Sequence, residues 1–482
     1  MEIEELLRTK PWFTSPVLLA GEPVGMLGNR EALLCYYLAK DGFTGSGAIV
    51  DAGSFLGKSA FYFAHGLRAN PRCAPERRRV HCFDNFLINE EATVEFMARR
   101  LNQTFSIGDS TRPIFDVQTA AICDALEVHA GDLHQATWQN EPIEILMVDI
   151  AKSKSLGKRV VELFFQDLIP KESVVIHQDY HHPWLPHIHI VMEYLADYFE
   201  LVAPRVDDSA LFRFAKRIPR AVLQRAIDYN FTQEEQMRLM DSAISRLPPD
   251  DRLYVQLARI VLRCGSADEA ALRRELDELE TRFNRSQSDY SCNPYFGDVR
   301  LYIDELEGWR QKEAGNNERC LELADGILQR RPIPRIRTMR GCALIGLGRF
   351  VDAERELRTA LETRPAFGFA YLELGRALMC QGRFADAEAV LLAGLRNPEA
   401  VEATPRHYLE LLGEIWCERA DPAQPENGTM AILRSEMPDN PEVWALDAVL
   451  HHYRGEYQAA DASLRSAIEL GLPPDRASEL LR

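Results

Sequence analysis

Hydrophobic residues follow two different patterns along the chain, and the pattern changes near residue 220. Before that point, short apolar runs alternate with stretches of helical spacing, an order typical of an α/β domain. After it, the short runs disappear and helical periodicity takes over. The sequence therefore predicts an α/β domain followed by an all-α domain.

Five apolar runs in the first part predict buried strands. They span residues 48–51, 80–84, 126–130, 143–149 and 172–180, and four of them end at or contain an aspartate: Asp51, Asp84, Asp149 and Asp179. Because the carboxyl ends of parallel strands share one edge of a sheet, these four carboxylates are expected to converge on one crevice. Like charges at such short distances repel one another unless a cation or bound hydroxyl groups compensate them.

The first strand leads into a glycine loop and then a helix, with the pattern Asp51-x-Gly53-x-x-x-Gly57-x-Ser59. The loop is one residue shorter between its glycines than a P-loop, and it lacks the third glycine of a dinucleotide-binding loop. It resembles the first motif of class I S-adenosylmethionine-dependent methyltransferases, especially O-methyltransferases of the macrocin type.

That resemblance implies a cofactor site at the sheet edge. Asp84 would accept hydrogen bonds from the ribose hydroxyls, because a carboxylate offers two acceptor oxygens to a diol. Asp132 would lie near the adenine, although an Asx-type turn after the third strand explains it nearly as well. The full set of cofactor-binding residues implied is Asp51, Gly53, Ser54, Gly57, Ser59, Asp84, Asp132 and Asp149.

Five of the twelve histidines fall within thirteen residues after the fifth strand: His177, His181, His182, His187 and His189. The segment 177–184 resembles the metal-binding segment of macrocin-type enzymes, and Asp149-x-x-Lys152 resembles the catechol-type motif with a lysine base. The resemblance implies magnesium or another divalent metal on Asp149, Asp179 and His177. The base would be Lys152, His181 or His182. Gln178 and Tyr180 depart from the family pattern beside Asp179, and histidine with carboxylate also suits zinc, iron or manganese.

Residues flanking the predicted sheet complete the first part. Residues 1–40 have helical spacing and are expected to form an N-terminal helical cover. Residues 200–202 and 210–215 predict a terminal β-hairpin, which is characteristic of class I methyltransferases. The predicted methyltransferase domain is thus 41–218, with a Rossmann-like sheet.

The second part contains an internal repeat. Gly341, Gly348, Phe350 and Ala353 recur 34 residues later as Gly375, Gly382, Phe384 and Ala387, which is the length of a tetratricopeptide unit. A further unit contains Gly455, and a weaker one lies around Gly315. We expect tetratricopeptide-like repeats over 298–482 and a helical linker or degenerate repeats over 219–297. Such arrays present a concave face, so a protein partner or self-association is expected.

Composition narrows the function classes. The formal net charge of −17 disfavours binding to nucleic acid or to an anionic membrane. No apolar run approaches the length of a membrane span, and the start Met-Glu-Ile-Glu-Glu does not resemble a signal peptide. Ten cysteines without a Cys-x-x-Cys pair predict reduced thiols in a cytoplasmic protein.

The expected function is therefore S-adenosylmethionine-dependent O-methylation of a hydroxylated small molecule, such as a sugar, a polyketide or another natural product, with metal assistance as an option. Two alternatives stay open. One is a catalytically inactive methyltransferase-like scaffold whose repeats bind protein partners. The other is a protein methyltransferase.

Overall fold

The structure is a computed structural model that describes residues 3–139, 141–265, 268–286, 294–365, 367–397, 405–418, 429–473 and 476. The chain divides into two compact units. The first comprises Met1–Cys264 and Arg274–Phe296, and the second comprises Gly265–Arg273 and Gly297–Arg482.

A seven-stranded sheet forms the centre of the first unit. Its strands are β1 (Ala48–Ala52), β2 (Val80–Asp84), β3 (Leu126–Ala130), β4 (Ile143–Val148), β5 (Val174–His177), β6 (Phe199–Val206) and β7 (Ser209–Phe214). The spatial order is β3-β2-β1-β4-β5-β7-β6. Strands β1 to β5 run parallel, whereas β7 is antiparallel to both β5 and β6. The carboxyl ends of β1, β2, β4 and β5 therefore share one edge.

Helices cover both faces of this sheet. They are α1 (Ile3–Thr9), α2 (Asn29–Tyr37), α3 (Lys58–Ala69), α4 (Glu91–Leu101), α5 (Arg112–Thr119), α6 (Lys154–Phe164), α7 (Pro186–Tyr194), α8 (Arg220–Asp228), α9 (Gln233–Arg246) and α10 (Arg252–Arg263). Side chains of a strand alternate between faces, so Val50 faces a core with α6 and α7 while Ile49 faces one with α2 and α3. This double cover explains why every residue of β1 and β4 is buried.

Two segments outside the sheet belong to these cores. Leu6 of α1 and Leu34 of α2 are fully buried, so the N-terminal residues expected to form a cover are part of the core. Ala226, Met240 and Val255 bring α8, α9 and α10 into the core on the α6 face. Residues 220–263 thus complete the α/β unit, whereas the sequence suggested a linker or degenerate repeats there.

The second unit is helical. Helix α11 (Glu269–Ser286) is divided between the two units at Arg274. The helices that follow it are α12 (Pro294–Glu313), α13 (Asn317–Leu328), α14 (Pro334–Gly346), α15 (Phe350–Thr363), α16 (Gly368–Cys380), α17 (Phe384–Arg396), α18 (Pro405–Glu418), α19 (Thr429–Glu436), α20 (Pro441–Tyr453) and α21 (Tyr457–Glu469). The predicted order of a mixed α/β part followed by a helical repeat region is confirmed.

Glycines occupy equivalent positions in successive helix pairs. A Cβ atom on Gly341 would lie 2.7 Å from Cγ of Leu357, and one on Gly375 would lie 2.7 Å from Cδ2 of Leu391, so each glycine permits close packing within its pair. Gly348 and Gly382 turn between the helices with φ of +73° and +72°, a backbone conformation that other residues rarely adopt. Among the described helices, none combines the length and apolar character needed to span a membrane.

Candidate functional site

The loop after β1 requires glycine at two positions. Gly53 has φ of +108° and Gly57 has φ of +92°. A Cβ atom on Gly53 would lie 2.6 Å from the carbonyl carbon of Asp149, and one on Gly57 would lie 2.5 Å from Cγ2 of Thr119. The loop is therefore pressed against the residue that follows β4, between the carboxyl ends of the two central strands.

Asp51 is completely buried beneath this loop. Oγ of Ser59 donates to its Oδ2 at 2.8 Å, and Oγ of Ser54 donates to its backbone carbonyl at 3.0 Å. Burial raises the pKa of Asp51 to about 6. Its Oδ1 atom has no hydrogen-bond partner among the described residues, which is costly for a buried oxygen.

Asp84, at the end of β2, is hydrogen-bonded to the backbone of the glycine loop and of its own turn. Its Oδ2 accepts the N–H of Phe55 at 2.8 Å, and its Oδ1 accepts the N–H of Phe86 at 2.6 Å. Burial raises the pKa of Asp84, and these two hydrogen bonds oppose the shift. Each carboxylate oxygen can accept a second hydrogen bond, so the residue keeps acceptor capacity for a diol.

Asp132 has a local explanation. It is exposed, and its Oδ1 accepts the N–H of His134 at 2.9 Å, the geometry of an Asx turn. This hydrogen bond ties the side chain to its own turn, two residues along the chain, and does not direct it toward the glycine loop.

Lys152 joins the two aspartates that follow β4 and β5. Its ammonium donates to Oδ1 of Asp149 at 2.6 Å, to Oε1 of Gln178 at 3.1 Å, and to Oδ2 of Asp179. Burial raises the pKa of Asp149 to about 7 against the opposing charge of Lys152. Burial would lower the pKa of Lys152, but the charges of Asp149 and Asp179 outweigh it and raise that pKa.

This arrangement corrects the role expected for Lys152. A lysine with a raised pKa stays charged at neutral pH and has no lone pair with which to take a proton. As placed here, Lys152 neutralises two carboxylates and is not a general base.

Three of the five clustered histidines are held by backbone carbonyls in the protein interior. Nε2 of His181 donates to the carbonyl of Pro204 at 2.8 Å, that of His187 to Ala151 at 2.9 Å, and that of His189 to Tyr180 at 2.6 Å. His181 is only 1% exposed, and burial lowers its pKa to about 4. The structure therefore gives His181 a packing role, in contrast to the catalytic role expected from the sequence.

His177 is not placed as a metal ligand together with Asp149 and Asp179. It is buried, its pKa is lowered by burial to about 4, and its Nδ1 lies 3.4 Å from the carbonyl of Gln178. Within the described parts of the chain, one group of three side chains has metal-ligand spacing, and it lies elsewhere. The two aspartates are bridged by the ammonium of Lys152, which occupies the place expected for a metal ion.

His182 is the partly exposed member of the histidine cluster. Burial lowers its pKa, and the carboxylate of Asp179 opposes that shift. The lowered pKa favours the uncharged imidazole, and His182 lies within electrostatic reach of both Asp179 and Lys152.

The group with metal-ligand spacing is His81, Glu127 and His129, on β2 and β3. Sequence reasoning assigned no role to it. The alternation of Glu127 and His129 along one strand was a usable signal, but His81 joins them only through the register between the strands.

The helical repeats are similar to a known family. A tetratricopeptide repeat model matches residues 344–400. The C-terminal region contains tetratricopeptide repeats. The match covers α15, α16 and α17, together with the turn glycines Gly348 and Gly382. No curated protein matches the sequence.

Solved structures of repeat proteins show low similarity. A tetratricopeptide repeat protein from Parabacteroides merdae is 14% identical with a TM-score of 0.31, and 52% of this chain and 91% of that one are covered. The C-terminal part of a TPR repeat-containing protein from Cytophaga hutchinsonii is 16% identical with a TM-score of 0.27, with 52% and 95% covered. A human IFIT1 dimer with m7Gppp-AAAA is 14% identical with a TM-score of 0.29, with 63% and 66% covered.

Proposed function

We propose that the N-terminal unit is an S-adenosylmethionine-dependent methyltransferase that acts on a hydroxyl group of a small molecule. The observation that carries this proposal is the place of the glycine loop. In an open α/β sheet, ligands bind outside the carboxyl ends of the strands where the strand order reverses. Here that point lies between β1 and β4, where Gly53 meets Asp149.

The residues around this point fit the cofactor. Asp84 offers acceptor oxygens to a ribose diol, and the Oδ1 atom of Asp51 is a buried acceptor without a partner among the described residues. The glycine loop allows close approach of a ligand to its backbone. The antiparallel hairpin of β6 and β7 agrees with the terminal hairpin of the class I methyltransferase family. When bound, S-adenosylmethionine supplies an electrophilic methyl group.

His182 is the residue that we propose to accept the proton of the acceptor hydroxyl. It is partly exposed, its backbone N–H donates to the carbonyl of Asp179 at 2.9 Å, and burial lowers its pKa, which favours the uncharged imidazole. Lys152 holds Asp149 and Asp179 in place and neutralises them. With that ammonium between the carboxylates, a divalent metal would have to displace it, and no step of the reaction proposed here is routed through a metal.

Isothermal titration of the full chain with S-adenosylhomocysteine tests the cofactor site. We expect saturable binding, about tenfold or more weaker in Asp84→Asn. The variant Asp197→Asn removes an exposed carboxylate just after α7 and serves as the matched control. Circular dichroism should show that Asp84→Asn remains folded, and added magnesium should leave the affinity unchanged.

Absence of binding to the wild-type chain at high micromolar ligand would overturn the proposal. The remaining candidate would then be a scaffold whose repeats bind a protein. That alternative is supported by the tetratricopeptide match, since such repeats commonly mediate protein interactions. A third option keeps the chemistry and makes a protein the methyl acceptor; methyl transfer to a protein, and not to small hydroxylated molecules, would favour it.

A further inference from the structure

His81, Glu127 and His129 project from one face of two paired strands. In the parallel register of β2 and β3, His81 lies opposite Glu127, and Phe83 lies opposite His129. Because side chains two residues apart on a strand point the same way, Glu127 and His129 share a face with His81. This cluster belongs to β2 and the edge strand β3, whereas Asp149 and Asp179 follow β4 and β5.

The three nearest ligand atoms form an almost regular triangle. Nδ1 of His81 lies 3.2 Å from Nε2 of His129. Oε1 of Glu127 lies 3.8 Å from the first of these nitrogens and 3.7 Å from the second. A point equidistant from atoms at these separations lies about 2.1 Å from each, which is the length of a zinc–nitrogen or zinc–oxygen bond.

We infer that His81, Glu127 and His129 bind one divalent transition-metal ion of the zinc type. Two imidazole nitrogens and one carboxylate oxygen suit zinc and its neighbours in the first transition row, whereas magnesium and calcium require oxygen ligands. Three protein ligands leave at least one coordination position for water or a small ligand.

Neighbouring side chains hold the ligands in this arrangement. Arg79 pairs with the other oxygen of Glu127, Oε2, at 3.2 Å, which leaves Oε1 directed at the imidazoles. The Nε2 atom of His81 lies 4.0 Å from a carboxylate oxygen of Glu141, which is longer than a hydrogen bond but within the range of a charge interaction.

Aromatic rings limit the motion of both imidazoles. The ring of Phe83 stacks on His129 with centroids 4.2 Å apart, and Trp138 packs edge-on against His81 at 5.1 Å. Glu127 and His129 remain partly exposed, at 38% and 31% of their side chains, so an ion can reach the site from solvent. The site is thus both preformed and accessible.

Zinc binding to the full chain tests this inference. The chain is stripped of metal with a chelator and titrated with Zn²⁺ against a chromophoric competitor. We expect one equivalent to bind, and Glu127→Gln and His129→Gln to weaken binding by at least the roughly 10–100-fold that losing an outer-shell partner costs. His134→Gln, which removes an exposed histidine of the same unit, is the matched control and should bind like wild type.

Cobalt gives a second readout that does not depend on affinity. Co²⁺ bound by two imidazoles and a carboxylate should show visible ligand-field bands that are absent in His129→Gln and retained in His134→Gln. The inference is overturned if the wild-type chain holds no zinc against the competitor, or if His129→Gln, shown to be folded by circular dichroism, binds zinc as tightly as wild type.

Discussion

At the scale of single residues, Lys152 determines how the crevice responds to pH. The pKa of Asp149 is raised to about 7, so the folded state disfavours its ionised form, and stability is lost as the pH rises from the ordinary aspartate range through 7. Lys152 limits that loss. We expect Lys152→Met to cost about 1–2 kcal/mol of unfolding free energy at pH 8, since one partner of a partly buried ion pair is removed.

The same substitution should cost less at pH 5, where Asp149 is protonated. Urea unfolding at both pH values measures the difference, and Lys158→Met on α6 is the control. An equal loss at pH 5 and pH 8 would contradict this account of Lys152.

Glu31 is a second buried carboxylate with a measurable pH effect. Its Oε1 accepts from Oγ of Ser209 at 2.6 Å and its Oε2 from the N–H of Gly28 at 2.8 Å, while burial raises its pKa to about 8. A raised folded-state pKa means that stability falls as the pH rises from the unfolded value of 4.5 through 8.

Glu31→Gln keeps a neutral group of the same shape and removes the ionisation. We expect the variant to be about 1 kcal/mol more stable than wild type at pH 9 and similar to it at pH 5. Thermal or urea unfolding measures both variants. The control Glu95→Gln, at an exposed site, should be as stable as wild type at pH 9 and at pH 5. A Glu31→Gln variant that is less stable than wild type at pH 9 would contradict the inference that ionisation of Glu31 destabilises the fold.

Sequence alone could place part of this site. Asp51, Asp84 and Asp149 follow strongly apolar runs, so their position at strand ends was predictable from local pattern. The partners of Lys152 and of the buried His181 depend on how separate segments pack, and no local pattern encodes that.

At the scale of elements, a sequence repeat predicts more of the structure than ordinary helical periodicity does. The 34-residue spacing of Gly348 and Gly382 predicted their turns because only glycine adopts that backbone readily. Helices α8 to α10 have ordinary helical periodicity. This pattern predicts that each helix has an apolar face, but it does not predict which core that face packs against. Their packing on the α6 face of the sheet could not be predicted from that pattern.

A turn glycine gives the prediction at this scale. A Cβ atom on Gly382 would contact nothing within 4 Å, so the cost of Gly382→Ala is the left-handed backbone alone, about 1–2 kcal/mol. Asn tolerates this conformation better, so Gly382→Asn should recover part of the loss. Both are measured by urea unfolding.

Gly326, in the last turn of α13, is the matched control. A Cβ atom there would also meet open space, but the backbone is helical, so Gly326→Ala should stabilise the repeats by up to about 1 kcal/mol. Opposite signs for the two alanine substitutions are the expected result. Stabilisation by Gly382→Ala would show that the turn does not require a left-handed residue.

At the scale of the whole molecule, two compact units with separate apolar clusters carry different chemistry. The α/β unit holds the buried carboxylates, the glycine loop and the histidine–glutamate cluster. The repeat unit is built by stacking of similar helix pairs, so its stability is approximately a sum over neighbours. A ligand of the α/β unit should therefore act on one part of the unfolding profile.

Calorimetry of the full chain tests this separation. We expect two transitions, and S-adenosylhomocysteine at a hundred times its dissociation constant should stabilise the α/β unit by about 2.7 kcal/mol by mass action. At the same ligand concentration, the tenfold or greater loss of affinity in Asp84→Asn should reduce that shift to about 1.4 kcal/mol or less. Gly382→Ala should lower only the other transition. Because each variant alters one unit, the pair assigns the transitions. A single transition, or two that move together with ligand, would show that the units unfold as one.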